Sequence, residues 1–419
     1  MLAASAVAVV ASSVLAASSG SATGGIDKNK EWVGTWAAGS TPGSVAGGSS
    51  MVGFTNQSLR QIVHTSVGGE ALRIRLSDQY GLNASVTIGH ATVALPDLTT
   101  PDLSDIVPAS VRELTFNGKT SVVQKKGTDI LSDPLTFAVG AQQDLVVTLF
   151  FPVATGSTTF HFQSRQISYV AAGDRTNEAT VPGAVARENF YFLAGVDVLR
   201  EKAGGSVVIF GDSIANGTNS TLNGNKRWPD ALAGRLIATP RGDRVPGVLN
   251  LGIAGNRVTK DGLEPIAGGG GFAEVGNSAL FRLQHDALSQ AGVGTVLVEL
   301  GINDIWMSNE SPEAIIDGLH QIAIQVRQKG LKVVACTLMP YENATSAVWT
   351  PEREATRLAV NEYLRTSSDF DGLVDFDKVM RDPAAPSKLR AEFDSGDHIH
   401  PNDAGYQAMA NAVNLNLLR

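Results

Sequence analysis

The stretch Ser206-Val207-Val208-Ile209-Phe210-Gly211-Asp212-Ser213 decides how this chain is read. Val207 to Phe210 are β-branched or aromatic, too short a run for a helix, and Gly204-Gly205 breaks the pattern before them. The segment therefore predicts a short strand buried on both faces. Downstream the pattern alternates. Segment 227–238 reads as a helix with Pro229 in its first turn, 248–251 as a strand, 279–290 as a helix and 295–300 as a strand. Helix 312–329, strand 332–338, helix 351–365, strand 373–376 and a last helix from Asp403 follow. The 312–329 helix is the most fully specified. Ser311 caps it, Pro312 suits its first position, Ile315, Ile316, Leu319, Ile322 and Val326 form one apolar stripe, and Gly330 ends it. Five strands alternating with helices imply a parallel sheet covered on both faces, where chemistry gathers in the loops at the carboxyl ends of the strands.

Upstream, from Trp32 to about Tyr191, the period is two. Leu72, Ile74 and Leu76 alternate with Arg73, Arg75 and Ser77, and 144–151 and 158–170 are rich in Val, Thr, Phe and Tyr. Turn signals separate these runs: Gly68-Gly69, Gly81-Leu82-Asn83, Pro96-Asp97, Asn117-Gly118 and Asp133-Pro134. Short strands without intervening helical patterns predict an antiparallel β-sandwich, jelly-roll-like, over 31–195, with the α/β unit over 204–419. A length of 419 residues, at about 150 per domain, accommodates both.

Composition narrows the function. The chain is 43% hydrophobic and 18% charged, which excludes a disordered tail or a fibre. Its 33 Lys and Arg against 41 Asp and Glu leave a formal charge of −8 without basic clusters, so a nucleic-acid partner is not expected. Cys336 is the single cysteine, set in an apolar run, and reads as a small buried thiol; it allows no intrachain disulfide. Residues 1–22 carry no charged side chain and pass from Ala, Val and Leu into small residues at 16–22, the pattern of a secretory leader despite the missing basic front. No later segment is apolar enough to span a bilayer, so a secreted protein without stable membrane insertion is expected, its oligomeric state unspecified.

Three strand ends and one loop carry reactive side chains. Ser213 sits where the first strand turns out of the sheet, with its hydroxyl expected at the edge beside backbone N–H groups. The second strand end, Asn250-Leu251-Gly252-Ile253-Ala254-Gly255-Asn256-Arg257, offers the Gly255 N–H, which a missing Cβ leaves approachable. The third, Glu299-Leu300-Gly301-Ile302-Asn303-Asp304, offers the Asn303 amide, a donor that does not titrate. The loop Asp394-Ser395-Gly396-Asp397-His398-Ile399-His400-Pro401 supplies His400 with a carboxylate three residues earlier, Asp397, able to hold the ring so that Nε2 accepts a serine proton. Of the other histidines, His398 has Ser395 at that spacing and reads as a solvent-facing loop residue. His64, His90, His161, His285 and His320 have no acidic partner at a useful spacing and read as surface or packing residues. The run Gly268 to Gly271 lacks the Lys-Ser/Thr of a phosphate loop, and Asp375 with Asp377 has no histidine at metal spacing.

Four such blocks in this order resemble those of the SGNH/GDSL hydrolase superfamily, over roughly 206–419. The resemblance implies a flavodoxin-like three-layer α/β/α domain that hydrolyses esters without cofactor or metal. It implies Ser213 as nucleophile, Asp397 and His400 as the rest of a triad, and an oxyanion hole made of the Ser213 N–H, the Gly255 N–H and Asn303. The β-sandwich, opening with Trp32-Val33-Gly34-Thr35-Trp36-Ala37, is similar to the domain preceding the hydrolase in many secreted microbial members. Acylated carbohydrates are the expected substrates. A lipase or lysophospholipase, and a non-catalytic extracellular binding protein, are the alternatives. One departure is Ile214-Ala215-Asn216-Gly217, where many relatives carry Thr or an acidic residue; it predicts a different pocket rim, and Asn216 opens a glycosylation sequon that would crowd Ser213.

Overall fold

The computed structural model describes residues 29–45, 48–201, 204–239, 245–266 and 269–418. The leader expected over 1–22, and Gly268 of the glycine run, lie outside the described residues.

The α/β part is a five-stranded parallel sheet. In spatial order its strands are Gly247–Asn250, Ser206–Gly211, Val293–Glu299, Lys332–Cys336 and Gly372–Val374. In chain order that is 2-1-3-4-5, the flavodoxin-like arrangement, whose direction reverses beside the first strand. Ser213 follows the first strand and Asn303 the third, so the two residues flank the reversal. Helices Trp228–Ala238, Pro312–Gln328, Pro351–Thr366 and Asp403–Ala412 lie where the period predicts. Ser311 accepts from Ala314 N to start the second of these, and Ile315, Leu319, Ile322 and Val326 are buried. The helix expected over 279–290 is different: α-helical turns over Ala279–Arg282 widen into a π-helical turn over Leu283–Leu288. Apolar period does not mark such a turn; Arg282 and Asp286, both buried, pair there at 3.2 Å.

The N-terminal part is antiparallel. One sheet orders Lys30–Ala37, Leu193–Glu201, Gly69–Ser77 and Leu135–Val139, with Asp129–Leu131 also on Gly69–Ser77. The facing one orders Val185–Arg187, Ser168–Ala172, Gln57–His64, Asp144–Phe151, His90–Ala94 and Arg112–Glu113. The expected sandwich edge at 195 falls inside Leu193–Glu201, which stays paired to its end because Glu201 still faces Lys30. The two parts share one buried core: Val33, Trp36 and Ile74 belong to the same apolar cluster as Val207, Leu249 and Leu297. Polar ties cross the seam as well. The Gly34 N–H donates to Ala291 O at 3.0 Å, and the Val248 N–H to Ser66 Oγ at 2.9 Å. Among the described residues no helix is long and apolar enough to cross a membrane.

Candidate active site

Asp212 ends the first strand and caps the short helix Ser213–Asn216, its Oδ1 accepting from the Ile214 N–H at 3.0 Å. Ser213 is thereby held at the first position of that helix. It is only 8% exposed, less than the edge position implied, and its Oγ lies 2.8 Å from His400 Nε2. His400 Nδ1 lies 2.6 Å from Asp397 Oδ2, and the same carboxylate folds back to accept the His400 N–H at 2.8 Å and the Ile399 N–H at 3.1 Å. Ser395 Oγ donates to it at 3.2 Å, and Asn219 Nδ2 at 2.8 Å. Partial burial acts to raise the Asp397 pKa. The hydrogen bond and charge of His400 and the two N–H donors outweigh it, so the carboxyl sits well below the usual carboxylate range.

Gly255 adopts φ +78°, and a Cβ there would lie 2.5 Å from Val275 Cγ1, so conformation and packing both require glycine. Among the described residues its N–H has no hydrogen-bond partner. Asn303 is buried, and its amide orientation is fixed by Trp306, whose indole N–H, a donor only, meets Oδ1 at 2.9 Å. That turns Nδ2 toward Asn256 O at 3.0 Å and Asp212 Oδ2 at 3.3 Å. Asp304, next in the motif, accepts the Val258 N–H at 2.8 Å and the Thr259 N–H at 3.2 Å, tying the third strand end to the loop after Gly255.

Beneath these loops lies a buried ionic floor. Arg282 stacks its guanidinium over Phe210, 4.1 Å from the ring centroid, and donates to Gly211 O, Leu251 O and Asn256 Oδ1, each at 2.9 Å. One side chain thus joins the first two strand ends to the loop that carries Gly255 and Asn256. Burial, then the nearby Asp304 charge, pushes Asp212 up to about 7 despite the Ile214 N–H. Glu299, buried beside it, is raised well above the carboxylate range by burial and by Asp212.

Ser213, Asp397 and His400 come together, with Gly255 and Asn303 on the adjoining strand ends. Other expectations are corrected. Ile214, Ala215 and Asn216 are buried, so they form packing rather than rim. The Asn216 amide nitrogen donates to Gln163 O at 2.9 Å and its Oδ1 lies 2.9 Å from His161 Nε2, which leaves no room for a glycan. His398 is half-exposed but engaged, Nδ1 2.5 Å from Asp394 Oδ2. His64, His90, His285 and His320 do have acidic partners brought by the fold, at Asp144, Asp174, Asp129 and Asp369, and His285 also meets the adjacent Asp286. His161 is the buried one, as the packing reading expects, with Nδ1 2.7 Å from Gly39 O. Asp375 and Asp377 are taken up by arginines, Arg365 bridging both and Arg357 pairing with Asp377. Trp306 and Arg282 carried no motif, and Asn219 was marked only as a glycosylation sequon, so their places at the site were missed.

A flavodoxin-like sheet with a serine, a histidine and amide donors on its strand ends defines a carboxylic ester hydrolase. Residues 209–408, within the α/β part, match the GDSL-like Lipase/Acylhydrolase family. A comparison with curated proteins gives no match. Among solved structures, the chain is similar to LAE5, an alpha/beta hydrolase from the metagenome of Lake Arreo, Spain, at 22% identity over 52% of this chain and 96% of that one, TM-score 0.38. It is also similar to a family two carbohydrate esterase from Clostridium thermocellum, at 12% identity over 86% and 91%, TM-score 0.35. A third is the esterase EstA from Pseudoalteromonas sp., at 14% identity over 49% and 93%, TM-score 0.35.

Proposed function

We propose that the protein is a secreted serine esterase that cleaves acylated carbohydrates through an acyl-enzyme. The reading rests on one observation, the continuous contact from Ser213 Oγ through His400 to Asp397 at 2.8 and 2.6 Å. In this reading Ser213 Oγ attacks the ester carbonyl as His400 Nε2 takes its proton, and Asp397 stabilises the resulting imidazolium. The tetrahedral oxyanion is met by the N–H groups of Ser213 and Gly255 and by Asn303 Nδ2, which releases its longer contact, 3.3 Å to Asp212. His400 returns the proton to the departing alkoxide, and water repeats the sequence on the acyl-enzyme.

Support for a polar substrate comes from the loop at 343–349. The Thr345 N–H donates to Asp397 O at 3.0 Å, which sets this loop against the triad loop. An open cavity of about 390 Å³ lies in it, lined by Asn343, Thr345, Ser346 and Trp349 and by the apolar Ala344, Ala347 and Val348. One amide, two hydroxyls and an indole among small apolar side chains, with no long apolar channel in that lining, support a sugar rather than a long acyl chain. Export is supported by the charge-free residues 1–22. Under this reading a serine-directed organophosphate labels Ser213, and Ser213→Ala abolishes hydrolysis; an unlabelled, active variant rejects it. Side-by-side acylated sugars and p-nitrophenyl esters from acetyl to long chain settle the substrate. Activity rising with chain length gives the lipase reading instead.

A further inference from the structure

We infer that Asn219 is a positioning residue for the Asp397 carboxylate, and that the β-sandwich holds it in place. The inference rests on the triad reading of Ser213, His400 and Asp397. Asn219 Nδ2 donates at 2.8 Å to Asp397 Oδ2, the oxygen that also faces His400 Nδ1 at 2.6 Å, and at 2.9 Å to Ser395 Oγ. Two donors on one carboxylate oxygen compete for its lone pairs. The amide therefore sets both the plane in which the carboxylate meets the ring and the share of its charge that the imidazole receives. An amide suits the task because it donates without titrating.

The perch of Asn219 is fixed from both sides. On the sandwich side, the Arg165 guanidinium reaches Ser220 O, the Asn223 N–H donates to Arg165 O at 3.0 Å, and Asn223 Oδ1 accepts the Ile167 N–H at 2.8 Å. One residue before this loop, Asn216 is gripped by Gln163 O and His161. On the hydrolase side, Thr221 donates its N–H and hydroxyl to Asp403 at 2.8 and 2.6 Å, and Tyr406 Oη donates to Thr218 O at 2.6 Å. Asn219 itself sits at φ +66°, where asparagine and glycine are at ease and other side chains are strained. That geometry gives the sandwich a part in the reaction although its described strands supply none of the proposed reacting groups.

The φ also dictates the variants. Asn219→Gly deletes the donor without straining the backbone, and Asn219→Asp replaces it, at nearly equal size, with a second carboxylate. With a short-chain p-nitrophenyl ester, Asn219→Gly is expected to lower kcat about tenfold with KM nearly unchanged, the loss of one charge-assisted hydrogen bond. The acid limb of the kcat/KM profile, set by protonation of the base, is expected to move to higher pH by about half a unit as the carboxylate is released to the imidazole. Asn219→Asp moves it further, because another negative charge favours the protonated ring. An acid limb that stays put in both variants overturns the inference, even if kcat falls, since a merely structural loop residue would give that pattern. Ser213→Ala, run alongside, separates the two readings: full activity there rejects the triad, whereas an inactive Ser213→Ala with unmoved limbs in the Asn219 variants rejects only the role of Asn219.

Discussion

His400 Nε2 lies 2.8 Å from Ser213 Oγ across 187 positions of sequence, while Asp397, three residues before the histidine, holds the opposite ring nitrogen at 2.6 Å. In the proposed reaction the pair exchanges a proton with Nδ1 keeping its own, the role assigned there to the Asp397 carboxylate. Asp397→Asn retains size and the backbone N–H contacts but can present its NH₂ to Nδ1, turning the ring to the wrong tautomer. The expected result is a kcat loss of about 10⁴ with an unchanged fold by circular dichroism. A loss below about tenfold would show that the carboxylate is dispensable.

The orientation of the Asn303 amide, the proposed oxyanion donor, depends on Trp306. With the indole N–H on Oδ1 at 2.9 Å, Asn303 presents Nδ2 inward; without it the amide is free to turn over. Asn303→Ala is expected to lower kcat by about 10² to 10³, the usual cost of one oxyanion donor. Trp306→Phe keeps most of the apolar contact, removes only the N–H, and is expected to lower kcat about tenfold. The double variant should be no worse than Asn303→Ala, because Trp306 acts through that amide. Additive losses would place Trp306 in a separate role.

Much of this was legible because each motif is local. A strand ending in Gly211-Asp212-Ser213, or a carboxylate three residues from His400, is a short-range pattern, and the parallel sheet then fixes where the ends meet. The unread parts depend on partners remote in sequence. Asn219 reaches Asp397 across 178 positions and Arg282 reaches Gly211 across 71, so no local signal marked either. The π-helical turn at Leu283–Leu288 was hidden for a similar reason. Its apolar spacing is that of an ordinary helix, while the buried Arg282 at its start is held by Gly211, Leu251 and Asn256, all remote in sequence.

The seam between the two parts is close-packed at one glycine. A Cβ on Gly247, in the outer strand of the parallel sheet, would stand 1.9 Å from Gly34 O in the first strand of the sandwich. Because the obstacle is backbone, relief requires moving one part against the other. Gly247→Ala is expected to cost at least about 2 kcal/mol in denaturant unfolding. An unchanged midpoint would mean that the seam yields freely.

Glu299 is buried beside Asp212, and its Oε2 finds no hydrogen-bond partner among the described residues. Burial, then the Asp212 charge, raises its pKa well above the carboxylate range. Above the unfolded pKa the open chain gives up this proton while the folded chain keeps it, so stability falls as pH rises toward the folded value. Glu299→Gln keeps the shape of the neutral acid and removes that penalty. Its melting temperature should match the parent near pH 4 and exceed it increasingly toward pH 8. A variant less stable than the parent at pH 8 would show that the carboxylate is needed in its ionised form.

His285 works in the same direction through a cation. On the π-helical turn its Nδ1 lies 2.8 Å from Asp286 Oδ1, and its Nε2 faces Asp129 of the sandwich at 3.1 Å, as an ion pair rather than an aligned hydrogen bond. Asp129 first, then Asp286, holds its pKa up at about 10 against partial burial. Because the folded value lies above the unfolded one, the clamp contributes fully below about pH 6.5 and is lost as pH climbs toward 10. Thermal melts of the parent should therefore decline between pH 7 and 10, and His285→Gln should start lower and decline less. Asp129→Asn, which removes only the partner across the seam, should reproduce part of that flattening. Parallel pH curves for parent and His285→Gln would mean that the imidazole carries no extra proton in the folded protein, and that the seam is held there by packing alone.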